Sequence, residues 1–190
     1  MTWTQGATEF LTALSSPAPT PGGGAAAAMA GAMGCALALM TIGTTLKRQN
    51  TPPQNRSTLL QHQPLLMDLH HQLTLCISKD AQAYAAYLAA IKLPKDSLAR
   101  TQAIQDSLWL AAMVPAETAT TCEKVLNELA NIRPLIAPVI LSDIDCARHL
   151  LKSAIACCVE NIRINQTSLS NPQQQQKLEE QITHFSRVIQ

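Results

Sequence analysis

A chain of 190 residues with a formal net charge of +1 is long enough for one domain with a real core, but it lacks the basic footprint that DNA or RNA binding requires. Hydrophobic residues make up 47% of it, aromatic residues only 3% and charged residues 14%. Ala, Leu, Met and Gln, all good helix formers, dominate over β-branched runs, which makes all-α the natural class.

In chain order, Thr4 to Leu14 predicts a short amphipathic helix with Phe10, Leu11 and Leu14 on one side, stopped by Ser15-Ser16-Pro17. Pro17, Pro19 and Pro21 then force an extended segment, because each fixes its own φ and moves its predecessor out of the α region. Gly22, Gly23 and Gly24 open a long Ala-rich helix reaching about Leu46, with no side chain covering its first amides. That start suits an anion or the polar edge of a ligand, although the triplet alone is also explained as a tight turn before a buried helix. It lacks the Lys-Ser/Thr ending of a nucleotide-binding loop. The helix is long enough to span a membrane, but its apolar content is mostly Ala and Gly and it has no matched flanking belt, so a central buried helix is expected and no membrane partner. Met1 to Leu14 contains Glu9 and no basic region, which does not suit a secretory signal; a cytoplasmic protein is expected.

After the loop at Gln49-Asn50-Thr51-Pro52-Pro53, Pro64 is read as the first turn of a helix running to about Leu93. Ser97 or Asp96 caps the next, which reaches Pro115, and another runs from about Ala116 to Leu129. Pro134 and Pro138 bracket an irregular piece, Ser142 caps a helix to about Leu169, and Asn171-Pro172 starts a Gln-rich terminal helix. The sum is a single domain over residues 1–190, an up-and-down bundle of six or seven helices. The six cysteines show no CxxC pair and read as reduced core residues, and the five histidines lack ligand spacing, so no metal is expected.

Two features resist an account by packing alone. Leu73, Ile77, Tyr84, Leu88 and Ile91 form a helical stripe that passes through Asp80, placing a carboxylate where a hydrophobe is expected. Burial would raise its pKa toward a value useful for proton transfer, whereas a structural Asp bonded to a neighbouring helix is the plain alternative. Asn161 and Asn165 lie one turn apart on one helix face and suit either a heterocycle edge or interhelical bonding. Asp143 lies 18 residues before Asn161 on the same face, which at about 1.5 Å per residue separates them by roughly 27 Å, so they cannot share one reacting centre within a subunit.

Ser16-Pro17-Ala18-Pro19-Thr20-Pro21-Gly22-Gly23-Gly24-Ala25, Asp80-Ala81-Gln82-Ala83-Tyr84, Leu93-Pro94-Lys95, Val114-Pro115, Ser142-Asp143 and Asn161-Ile162-Arg163-Ile164-Asn165 together resemble the formiminotetrahydrofolate cyclodeaminase and methenyltetrahydrofolate cyclohydrolase family, over nearly the whole chain. The resemblance implies a dimerising all-helical bundle acting on a tetrahydrofolate derivative, with Asp80 as catalytic carboxylate and Gly22, Gly23, Gly24, Asp143, Asn161 and Asn165 around the folate. No bound cofactor is implied, because the folate is itself the substrate. The chain differs from the family pattern at Ala25, where a serine is usual, and at Thr44-Thr45, where a basic run is usual. Three functions remain open at this point: cyclodeaminase, cyclohydrolase, and a non-catalytic member binding folate or a protein partner.

Overall fold

The computed structural model describes residues 2–190 as an all-helical chain. Its six α-helices are α1 (Trp3–Leu14), α2 (Gly23–Lys47), α3 (Pro53–Ile91), α4 (Leu98–Ile132), α5 (Leu141–Gln166) and α6 (Pro172–Val188); two 3-10 turns, Arg133–Leu135 and Pro138–Ile140, join α4 to α5. α2 packs against α3, α4 and α5, and α6 lies chiefly on α5.

The start and stop signals are obeyed where a side chain supplies them. Ser97 caps α4 by accepting the Arg100 amide, and Asn171 caps α6 with Pro172 in its first turn. Two prolines are not obeyed. α3 begins at Pro53 and carries Pro64 in its interior, and α4 runs through Pro115 as one helix instead of two. A proline inside a helix removes one backbone bond at a cost of about 3 kcal/mol. Buried Leu59, Leu66, Leu69 and Leu73 flank Pro64, and buried Ala112, Ala116 and Ala119 flank Pro115. Burying a leucine contributes roughly 1.5–3 kcal/mol, so the packing of either helix outweighs its proline. Ser142 is not a cap either: the 3-10 turn ahead of α5 makes Ile140 the N-cap, with no side-chain bond. Of the cysteines, Cys35, Cys76, Cys122 and Cys158 are buried, and desolvation raises all four thiols, but Cys146 and Cys157 are exposed and do not belong to the core.

The contact of α2 with α5 is made by small residues. A Cβ added at Gly34 would lie 2.9 Å from Leu151 Cγ and 3.0 Å from the Ala147 carbonyl oxygen, and neither can move without moving α5. At Gly43, later in the same helix, a Cβ would meet nothing within 4 Å. The substitution Gly34→Ala is therefore expected to lower stability by about 1–2 kcal/mol, because overpacking exceeds the helix-propensity gain. Gly43→Ala should raise stability by up to about 1 kcal/mol. Thermal melts of the two variants check this; equal shifts would mean that the α2–α5 approach is looser than described.

Candidate functional site

The segment that leads into α2 folds over one end of the bundle and there bounds a cavity of about 340 Å³. Its walls come from four places: Pro19 to Gly24 at the start of α2, Asp80 to Tyr87 on α3, Leu108 and Ala111 on α4, and Asn161 to Ser168 at the end of α5. Of the residues singled out in the sequence, Gly22, Gly23, Gly24, Asp80, Asn161 and Asn165 line this one cavity. Asp143 does not. It sits in the first turn of α5, at the far end of the helix that carries the two asparagines.

Asp80 is half-buried rather than fully enclosed. The reason lies in how the stripe on α3 turns: beyond Leu73 the buried line continues through Cys76, Ala83 and Ala90, while Ile77, Tyr84 and Leu88 are half-buried and Ile91 is exposed. Asp80, four residues after Cys76 and three before Ala83, therefore stands at the edge of the core and reaches across to α2. Its Oδ2 accepts the Ala25 amide at 3.0 Å. This does what no side chain of α2 does, since the N-cap Gly22 makes no side-chain bond. The first backbone bond of α2 runs from the Ala26 amide to the Gly22 carbonyl, so the Gly23 and Gly24 amides have no helical partner. Asp80 Oδ1 has no protein partner among the described residues. Burial is the larger influence on this group and raises its pKa above the ordinary carboxylate value, while the Ala25 bond pulls it down.

Gly23 and Gly24 have a steric explanation rather than a conformational one, as no glycine here has positive φ. A Cβ at Gly24 would fall 2.0 Å from Asp80 Oδ1, and one at Gly23 would lie 3.3 Å from Asn161 Nδ2. Gly23 and Gly24 are what let an amide and a carboxylate close on the end of a helix.

On the opposite wall, Asn161 Nδ2 donates to the Cys157 carbonyl at 2.8 Å, and Asn165 Nδ2 donates to the Asn161 carbonyl at 2.8 Å and the Ala111 carbonyl at 3.3 Å. Each amide group thus points back at backbone carbonyls, which fixes its orientation and leaves its Oδ1 without a protein partner among the described residues. Asn165 ties α5 to α4, as interhelical bonding requires, and the two side-chain oxygens have no protein partner among the described residues. Tyr84 and Tyr87, with ring centroids 6.5 Å apart, supply the aromatic part of the wall. Sequence reasoning did not assign them, although positions four and seven beyond Asp80 share its helix face. The contributions of Leu108, Ala111 and Ser168 left no signal in the sequence. The cavity thus offers one half-buried carboxylate with a free oxygen, two backbone amides without a helical partner and two fixed side-chain carbonyl acceptors, a set suited to moving a proton next to a flat polar ligand.

A family model described as Formiminotransferase-cyclodeaminase matches residues 6–184. The methenyltetrahydrofolate cyclohydrolase of Methylorubrum extorquens is 38% identical over 127 residues, which cover 65% of this chain and 60% of that protein. The formimidoyltransferase-cyclodeaminase of Rattus norvegicus is 35% identical over 163 residues, covering 82% of this chain but 29% of that protein. Among solved structures, the formiminotetrahydrofolate cyclodeaminase of Thermotoga maritima shares the fold over 100% of this chain and 90% of its own, with a TM-score of 0.84 at 22% identity.

Proposed function

The chain belongs to the formiminotransferase-cyclodeaminase family, and on that footing we propose that it is a folate one-carbon enzyme that closes 5-formiminotetrahydrofolate to 5,10-methenyltetrahydrofolate with release of ammonia. The observation that carries this reading is the free Oδ1 of Asp80, held in a cavity by the bond from Ala25 to its other oxygen.

In the cyclising reaction the folate N10 attacks the formimino carbon. Asp80 Oδ1 takes the N10 proton as the new C–N bond forms, then returns it to the departing amino group, which leaves as ammonia. The positive charge of the protonated formimino group becomes that of the methenyl bridge, so protons and charge balance without another reagent. A cyclohydrolase would use the same carboxylate in a related way: Asp80 accepts a proton from water adding to the bridge carbon and delivers it to N5, leaving a 10-formyl group and one proton in solution. The relative in Methylorubrum extorquens keeps this second reaction in view. In both, Asn161 and Asn165 would hold the edge of the pterin ring and the Gly23 and Gly24 amides a polar group of the substrate. The folate is the substrate, and the reading needs no further cofactor. It also implies a cytoplasmic enzyme formed by residues 1–190 as one domain.

A homodimer belongs to this proposal. Asp143 reaches no folate in the cavity of its own subunit, but antiparallel copies of α5 across a twofold axis would bring it to the partner's site.

Binding is tested apart from turnover by Gly23→Val. The added side chain would press on Asn161, so calorimetry should show folate affinity reduced at least ~10-fold with the melting temperature little changed. A lower melting temperature with affinity intact would leave the glycine as a packing residue only.

A further inference from the structure

The twelve residues of α1 form a helix in which nothing is buried. At about 100° per residue, Trp3, Ala7, Phe10 and Leu14 fall on one strip with Leu11 beside it. Trp3 is 87% exposed and Leu11 61%, and Phe10 and Leu14 are only half-covered. A helix of this length is marginal in water by itself, so an apolar strip that the chain's own body covers only in part calls for a surface from elsewhere.

Charge decides what kind of surface. Glu9 is the only charged side chain on α1, and no Lys or Arg accompanies the strip, unlike the basic polar face of helices that lie on lipid. A matching protein surface is present on this same chain. Between Gly22 and Leu46 α2 has no charged residue, and Met33, Ala36 and Met40 stand exposed along its outer side. The size is right as well: Trp and Phe bury roughly 150–250 Å² each, so one arm with its two leucines would cover roughly 500 Å². Two arms and the surfaces beneath them reach roughly 2,000 Å², above the ~1,600 Å² of a standard stable interface. Ser15 to Ala18 lies between α1 and the cavity-lining Pro19, and four residues extend at most about 14 Å, which lets the arm leave its own body while Pro19 and Thr20 stay in the wall.

We propose that α1 is an exchanged arm that docks on the outer face of α2 in a second copy of this chain. Because Pro19 and Thr20 in the same connection line the cavity, docking of the arm also fixes one wall of the partner-dependent site; this rests on the dimeric reading above.

The test uses the whole chain and the double variant Phe10→Asp, Leu14→Asp. No residue of α1 is fully buried and Phe10 and Leu14 are only half-covered, so circular dichroism should match the wild type and the melting temperature should fall only slightly. Sedimentation should show a wild-type dimer and a variant whose dimer dissociation constant is raised at least ~100-fold. Hydrogen exchange on the wild type alone gives a second readout: amides of α1 should exchange more slowly as protein concentration rises through the dimer range. A monomeric wild type, a variant that dimerises unchanged, or flotation of the wild type with neutral phosphatidylcholine vesicles would each overturn the proposal. A chain that dimerises through α1 yet binds no folate would instead refute the functional reading and leave the arm standing.

Discussion

Replacing Asp80 by asparagine is expected to lower kcat by at least ~100-fold while leaving the protein folded. The amide keeps the shape of the side chain, and its oxygen can still accept the Ala25 amide that Oδ2 accepts now. What it loses is the ability to take a proton at the second position. Stability should stay level or rise slightly at neutral pH, because the variant removes a desolvated charge. The sign follows from the raised pKa of Asp80: the folded state holds this proton to higher pH than the unfolded state does. The group therefore favours folding at low pH, and that contribution is lost as pH rises from the ordinary carboxylate range through its folded value. Asp80→Ala is the useful companion. It removes the acceptor as well and should cost about 1 kcal/mol, the usual value of a lost helix cap. Turnover near normal in the asparagine variant, with a markedly lower unfolding midpoint, would make Asp80 a cap for α2 and nothing more.

Gly24→Ala is expected to be nearly as damaging by a different route. Its Cβ would stand 2.0 Å from Asp80 Oδ1 and 2.7 Å from Asp80 Cγ, closer than nonbonded atoms approach. Since the backbone of α2 is held by α3, α4 and α5, the carboxylate must give way and leave the Ala25 amide. Activity should fall by about 100-fold or more, with a stability loss of about 1–2 kcal/mol from the broken cap and the crowded contact. Alanine is ordinarily the better helix residue by about 1 kcal/mol, so a variant that gained stability and kept its activity would show that Asp80 has room to rearrange.

These two residues also show how much was legible in the sequence. The helical class, the caps at Ser97 and Asn171 and the grouping of the glycines with Asp80, Asn161 and Asn165 could be read from residue types and spacing, because each is a local pattern or a resemblance carried by short motifs. The polar character of Asp80 within an apolar stripe was visible for the same reason. The bond between Ala25 and Asp80 was not, since it joins residues 55 apart in sequence and nothing on either helix encodes the angle at which they meet. Pro64 and Pro115 were misread because proline is a local signal, while the leucines and alanines that hold α3 and α4 straight through them act only once the helices are packed. The glycine triplet reads in sequence as an uncovered helix start or as a tight turn; its φ values are not positive, and what the structure adds is space beside Asp80 at Gly24 and beside Asn161 at Gly23.

The most direct test of the central claim is turnover by the purified wild-type chain, offered 5-formiminotetrahydrofolate in one cuvette and 5,10-methenyltetrahydrofolate in another, with methenyl absorbance followed as a function of pH. The account predicts catalysed appearance of the methenyl chromophore in the first, or its catalysed loss in the second. In either case kcat/KM should fall on the acid side with a midpoint above the ordinary aspartate value, the direction in which burial moves Asp80. Absence of catalysis in both cuvettes across the pH range, from a folded protein, would contradict it.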